Sequence, residues 1–249
     1  MKFQISLAGK LIQIESLHDQ VYYLCRGYLT DSCCDKPDIT IKINPSDIDF
    51  ERQKSSSQGE ASDYSDSYLE TLAVYRKLAT EMLNFDCWLI HGAVFSIDDK
   101  AYMVTAASGT GKTTIVRMIL KLYEDSFVVN GDKPLLKING NQTSACGTPW
   151  SGKEHMNRNC RVPLRALIIL ERGQENRVDE LSYSQAFPII LQQTYKPDDV
   201  PYMKKTLELL SRMGNSDGLK FYRLSLKRYD NRNELVNEDI VSLLEQTLS

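Results

Sequence analysis

Ala101-Tyr102-Met103-Val104-Thr105-Ala106-Ala107-Ser108-Gly109-Thr110-Gly111-Lys112-Thr113-Thr114 carries the main signal of this chain. An apolar run enters a glycine-containing loop, and the loop opens into an apolar-periodic segment over 112–123. The reading is strand, loop, helix. Gly109 and Gly111 admit backbone shapes that a Cβ would block. Backbone N–H groups can then turn inward as an anion nest at a helix N-terminus, where the dipole also favours negative charge. Lys112 supplies a point charge for outer phosphates and Thr113 a hydroxyl for magnesium. The full pattern is G-x-x-x-x-G-K-[ST]. Ala106 stands where its first glycine would be, and the rest is intact. The expected ligands are ATP or another nucleoside triphosphate, with Mg2+. The residues expected to hold them are Ala107, Ser108, Gly109, Thr110, Gly111, Lys112, Thr113 and Thr114.

Downstream, Phe127-Val128-Val129-Asn130-Gly131-Asp132 reads as a buried strand with a carboxylate at its end. Asp132 falls 20 residues after Lys112 (132 − 112), just past the expected next strand. A magnesium or catalytic carboxylate belongs there, although Asn-Gly-Asp is also ordinary turn chemistry. Upstream, 87–90 and 93–97 read as strands, with a polar turn at 98–100. His91 lies at a strand mouth. It could serve as acid, base or donor to a phosphoryl oxygen, or be a core histidine after Leu89-Ile90. Gly147-Thr148-Pro149-Trp150-Ser151-Gly152-Lys153-Glu154-His155 forms a loop that could act as a lid, with Lys153 and Glu154 meeting the transferred group and its acceptor. Arg158, Arg161 and Arg165 offer cations for phosphoryl oxygens, or a solvated face.

The remaining chain is organised around this core. Period-two alternation over 3–7, 11–14 and 39–43 marks half-buried strands, with a short helix over 21–28. Residues 54–67 are rich in Ser, Asp and Gly and read as a linker. Leu69, Leu72, Tyr75, Leu78, Ala79 and Met82 then form one helical stripe. A strand is expected over 163–170 and helices over 184–193, 204–213 and 234–248. The expected organisation is a small strand-rich unit over 1–53, a linker over 54–67 and an α/β (α+β) domain with a mixed sheet over 68–249.

A net charge of −3 provides no global attraction to nucleic acid or anionic lipid. There is no basic stripe with interleaved aromatics, so no nucleic-acid partner is expected. Apolar runs such as 166–170 fall far short of the about 20 residues of a membrane span. The start of the chain has no charged segment leading into a long apolar one. The six cysteines form no C-x-x-C pair and no zinc spacing with the histidines. Reduced thiols in a cytoplasmic, membrane-free protein are the expectation.

Ile90-His91-Gly92-Ala93, the hairpin after it, Ser108-Gly109-Thr110-Gly111-Lys112-Thr113 and Asn130-Gly131-Asp132 together resemble the C-terminal domain of HPr kinase/phosphorylase. That domain belongs to the phosphoenolpyruvate-carboxykinase-like phosphate-loop proteins. The likeness covers roughly residues 87–171. Segments 131–136 and 147–154 look like a divergent branch of unassigned substrate, some relatives of which are similar to kinases associated with peptide modification. The resemblance implies the phosphoenolpyruvate-carboxykinase-like fold and transfer of the γ-phosphoryl group of ATP, with Mg2+, to a hydroxyl of an unidentified protein, peptide or small-molecule acceptor. It implies catalytic roles for Lys112, His91 and Asp132, and magnesium held by Thr113 and Asp132. It also implies a homo-oligomer. The family carries two adjacent aspartates, one a base and one a magnesium ligand. Gly131 takes the first place here, so Asp132 alone carries over, and Glu154 is the candidate replacement base. The family's glycine-rich signature in the C-terminal half has no match. The alternative is a nucleotide-binding accessory or regulatory protein with little transfer activity. A simple NTPase ranks after both.

Overall fold

The computed structural model describes residues 1–30, 36–57, 64–107, 109–227 and 238–248, so Ser108, Cys33, Cys34 and residues 58–63 of the expected linker lie outside the described residues. The chain divides into two compact units, Met1–Phe85 and Asp86–Ser249.

In the first unit, β1 (Lys2–Leu7) and β2 (Lys10–Glu15) form an antiparallel hairpin. The turn uses Ala8 and Gly9, both at positive φ. β3 (Ile39–Lys42) runs parallel to β2. The alternation reads true: Ile5, Leu7, Ile12, Ile14, Ile39 and Ile41 are buried. The single helix expected over 21–28 is instead α1 (Gln20–Leu24) followed by a 3-10 turn at Arg26–Tyr28, because Cys25 leaves the helical region with ψ near 5°.

The expected linker is also corrected. α2 (Pro45–Ser57) continues into it, and α3 (Asp66–Glu81) belongs to the first unit. The boundary between units is at 85/86 rather than within 54–67. The composition misleads because α2 buries only Ile48, Glu51 and Ser55. Glu51 is satisfied by an ion pair with Arg76 of α3, so this helix carries little apolar signal. α3 itself buries Leu69, Ala73, Val74 and Leu78, and packs on α1 and β3. The fully buried Glu70 of α3 accepts from the backbone N–H groups of Leu17 and His18.

The second unit is a mixed α/β structure. Its elements are β4 (Cys87–Leu89), β5 (Ala93–Ile97), β6 (Lys100–Thr105), α4 (Lys112–Leu122), β7 (Phe127–Asn130), β8 (Leu135–Asn139), β9 (Gln142–Cys146), β10 (Arg161–Gly173), β11 (Arg177–Leu181), α5 (Tyr183–Gln193), α6 (Val200–Met213), β12 (Lys220–Lys227) and α7 (Glu238–Leu248). The sheet runs β4-β8-β9-β10-β6-β5-β7, with β12 also on β10 and β11 on β12. The long strand β10 joins its two halves. Residues 161–163 pair antiparallel with β9, and the residues beyond them lie parallel to β6 and β12. The register slips between Leu164 and Ala166, directly after Pro163, which cannot donate to a ladder.

β6 and β7 flank β5, and both are antiparallel to it. The stretch β6–loop–α4–β7 is therefore a parallel crossover that lays α4 on one sheet face. Ile115, Val116, Met118 and Ile119 of α4 bury against a cluster containing Phe95, Tyr102, Val104, Ile168, Leu224 and Leu244. Burying each such side chain contributes on the order of 1.5–3 kcal/mol, which anchors the helix whose first turn forms the site. β8, β9, β11 and β12 are absent from the sequence reading. One signal was present: Gly140-Asn141, the two residues between the paired Asn139 and Gln142, with Gly140 at φ 59°, is a hairpin marker. Among the described residues, no helix is long and apolar enough to cross a membrane.

Candidate phosphate-binding site

β6 ends at Thr105, and the chain turns through Ala106 to Gly111 into α4. Gly109 and Gly111 take φ of 76° and 119°, the left-handed region that favours glycine. Thr110 closes the loop on itself, its N–H and hydroxyl both donating to the Ala107 carbonyl. α4 starts without a side-chain cap. The N–H groups of Thr114 and Ile115 turn back to the Gly111 carbonyl. The first-turn N–H groups of a helix have no intrahelical partner and draw anions.

Lys112 Nζ reaches back along the loop to the Ala106 carbonyl at 3.0 Å. Burial pulls its ammonium below the ordinary lysine value; Lys133 acts the same way and Asp132 opposes it. No carboxylate among the described residues forms an ion pair with it, so this half-desolvated cation is left for an incoming anion. Ala106 is buried, and the alanine in place of the pattern's first glycine is accommodated there without positive φ.

Asp132 faces the loop from the end of β7. Asn130, fully buried, sets the turn: its Oδ1 accepts from the N–H groups of Asp132 (2.9 Å) and Lys133 (2.7 Å). Its Nδ2 donates to the Thr148 carbonyl at 2.9 Å. The Asn-Gly-Asp run is thus a turn, and the turn is what aims Asp132. Asp132 Oδ1 lies 3.1 Å from His91 Nε2, both side chains being partly exposed. Burial raises the Asp132 carboxyl, but the His91 hydrogen bond and the charges of Lys133, His91 and Lys112 outweigh it and hold the group below the usual carboxylate value.

His91 is fixed from three sides. Its backbone N–H donates to the Gln193 carbonyl at 2.8 Å, its carbonyl accepts from Thr105 Oγ1 at 2.8 Å, and its Nδ1 lies 2.9 Å from Gln193 Oε1. Gly92 N–H donates to the Asp132 carbonyl at 2.9 Å. His91-Gly92 is the strap between the loop's entry strand and the Asp132 turn.

The loop over 147–158 covers the Asp132 side. Gly131 N–H donates to the Met156 carbonyl at 2.9 Å, and Arg158 N–H to the Val129 carbonyl at 3.1 Å. A Cβ on Gly131 would lie 3.0 Å from the Ser151 carbonyl oxygen and 3.4 Å from that of Met156. The loop thus packs tightly against the place where a second aspartate would stand. Glu154 is ion-paired with Arg117 of α4 at 2.6 Å, both about half exposed. Arg158 lies over the Phe127 ring at 4.1 Å, and Arg165 donates to the Gly218 carbonyl at 2.8 Å. Arg161 is exposed at the start of β10. These arginines therefore have other surroundings than the expected phosphate contact.

The fold thus joins the loop, Lys112, His91 and Asp132, and ties Glu154 to α4. Gln193, Asn130, Thr148 and Arg117 were missed. Gln193 lies 102 residues from His91, and no local pattern reports such a pairing. A magnesium ion would find the Thr113 hydroxyl and the ionised Asp132 beside an uncapped helix N-terminus, a donor set of hard oxygens that suits it. Among the described residues no group of three or more His, Cys, Asp or Glu could hold a metal by itself.

No protein-family model matches the chain, and no curated protein does. Among solved structures, the chain is similar to the HPr(Ser) kinase/phosphatase from Coxiella burnetii, at 14% identity and a TM-score of 0.35, covering 64% of this chain and 92% of that one. At that score the overlay is loose, and no residue role transfers across it.

Proposed function

We propose that this chain is an ATP- and Mg2+-dependent phosphotransferase that moves the γ-phosphoryl group to a hydroxyl of a protein, peptide or small-molecule acceptor. The observation behind the reading is the meeting of two halves: a glycine loop with Lys112 across it, and an ionised Asp132 tied to His91. Phosphoryl transfer is largely a matter of positioning and charge stabilisation. The loop N–H groups and Lys112 cradle the phosphates. Thr113 and Asp132 would hold magnesium, which neutralises charge on the phosphate oxygens. His91 steadies Asp132 through its Nε2. Asp132 Oδ2, approached by Lys133 Nζ at 4.0 Å, would serve either the cation or the acceptor proton.

One observation favours a second reading, a nucleotide-binding regulator with little turnover. The Gly131 position is crowded, so that a second carboxylate there would press on the Ser151 carbonyl oxygen and need the loop to give way. Calorimetry of MgATP binding to the unaltered chain and to Lys112→Ala tests the site itself. The expected result is binding that collapses in the variant; an unaltered chain that ignores MgATP would end both readings. ADP release that depends on an added acceptor then supports transfer, and tight binding without ADP release supports the regulator.

A further inference from the structure

Gln193 is the residue of this site with the least reason to be there from sequence. It ends α5, and the chain beyond it returns along β4: Ile90 and Thr194 form an antiparallel bridge, and Tyr195 N–H donates to the Leu89 carbonyl at 2.9 Å. This short pairing clamps residues 193–195 beside residues 89–91. Gln193 then holds His91 twice, by its main-chain carbonyl at 2.8 Å and by its side-chain amide at 2.9 Å from Nδ1. The helix supports this delivery. Ser182 and Gln185 form a capping box at its start, and Ala186 and Ile190 bury one face.

The hydrogen-bond inventory fixes the roles. Asp132 is an acceptor, so His91 Nε2 must carry the hydrogen that bridges 3.1 Å to Oδ1. In the neutral ring Nδ1 is then a lone pair, and it needs a donor. A side-chain amide presents oxygen and nitrogen at interchangeable positions, and the Gln193 NH2 meets that need when the amide is turned by a half-rotation.

We propose that Gln193 is a positioning residue for the transfer site described above: its amide NH2 donates to His91 Nδ1, which complements the Nε2–H form that Asp132 requires and fixes the ring so that this hydrogen stays aimed at Asp132 Oδ1. The second carboxylate oxygen of Asp132, with Lys133 Nζ 4.0 Å away, then faces the cation or the acceptor hydroxyl. The partner across a histidine ring sets which nitrogen is protonated, and here that partner comes from a separate helix. The role rests on the phosphotransferase reading for its consequence, but the contact and its test do not require nucleotide.

The test is a two-bond 15N–1H correlation on the full chain with labelled histidine, at one fixed alkaline pH. Only His18, His91 and His155 contribute, and His91→Asn assigns the third signal set. The unaltered chain should show His91 as a single Nε2–H form; an Nδ1–H pattern overturns the proposal with no further variant. Gln193→Met, which keeps the backbone contact and removes the amide, should shift the His91 Nδ1 resonance, which loses its hydrogen-bond donor, and leave His18 and His155 alone. Gln193→Ser should do the same, in case the methionine disturbs packing. Unchanged His91 signals in either folded variant overturn it. MgATP calorimetry on the same samples keeps the two ideas apart, since nucleotide affinity should hold within about twofold while turnover falls by about ten- to a hundredfold, as loss of an outer partner typically does.

Discussion

The phosphate-loop wall of the site is one continuous stretch, residues 105–114. The Asp132 wall is assembled from segments around residues 91, 130–133, 147–158 and 193. Their glycines show the difference. Gly109 and Gly111 have open space where a Cβ would go, and they are required for their positive φ. Gly147 has no positive φ, yet a Cβ there would lie 1.9 Å from the Arg158 carbonyl oxygen and 2.7 Å from that of Val129. The first demand is local, made by the backbone of the loop itself. The second comes from two remote segments that approach closely. A local demand can be read from neighbours in the chain; a tertiary one cannot.

The largest expected effect separates the walls by chemistry. Asp132→Asn keeps the shape of the turn, because the Asn130 contacts go to backbone N–H groups. MgATP binding by calorimetry should weaken but remain, because the loop and Lys112 still hold the phosphates while the cation loses one charged ligand. Turnover should fall about 10²–10⁴-fold, the span typical of a lost proton-transfer group. Equal turnover in the variant would make the assembled wall a scaffold. Lys112→Ala attacks the other wall and should act on binding first. Removing a half-buried cation that faces phosphates should cost about 2–5 kcal/mol of MgATP affinity, and full affinity would mean that the loop does not contact the nucleotide.

Gly147→Ala tests the tertiary demand directly. Backbone carbonyls cannot swing aside as a flexible side chain would, so overpacking should destabilise the second unit by about 1–3 kcal/mol, measured by urea unfolding. Gly109→Ala should cost about 1–2 kcal/mol from the left-handed backbone alone. If Gly147→Ala proved neutral, the approach of residues 147 and 158 would be looser than the 3.1 Å hydrogen bond from Gly147 N–H to the Cys160 carbonyl indicates.

The same contrast explains what the sequence disclosed. The crossover from β6 to β7 was legible because strand, loop and helix follow one another, and Asp132 because an apolar run points to it. The β1–β2 hairpin and β3 were legible from period-two burial. The α2–α3 pair was not, since α2 is held through Glu51 and Arg76 rather than an apolar stripe. The partner of His91 was hidden because Gln193 arrives by a chain reversal after α5. The crowding at Gly131 was hidden too. Sequence alone shows a missing aspartate, and the carbonyls of Ser151 and Met156 show how closely the loop packs on its place.

Glu154 carries the smallest expected effect and the sharpest distinction between the walls. Its place in the glycine-rich loop suggests a base that replaces the missing aspartate. Its partner suggests a tether, since Arg117 lies one turn beyond Thr113 on α4 and holds Glu154 at 2.6 Å. An exposed ion pair of this kind contributes about 0.2–1 kcal/mol, and it occupies the carboxylate that a base would need free. Glu154→Gln should therefore leave turnover within about threefold, with the change expressed mainly in the salt dependence of the rate, because surface pairs are screened. Arg117→Gln should give the same small change, as two halves of one tether must. A loss of turnover in Glu154→Gln alone, with Arg117→Gln unaffected, would return the base to Glu154 and move the chemistry from the Asp132 turn to the loop that covers it.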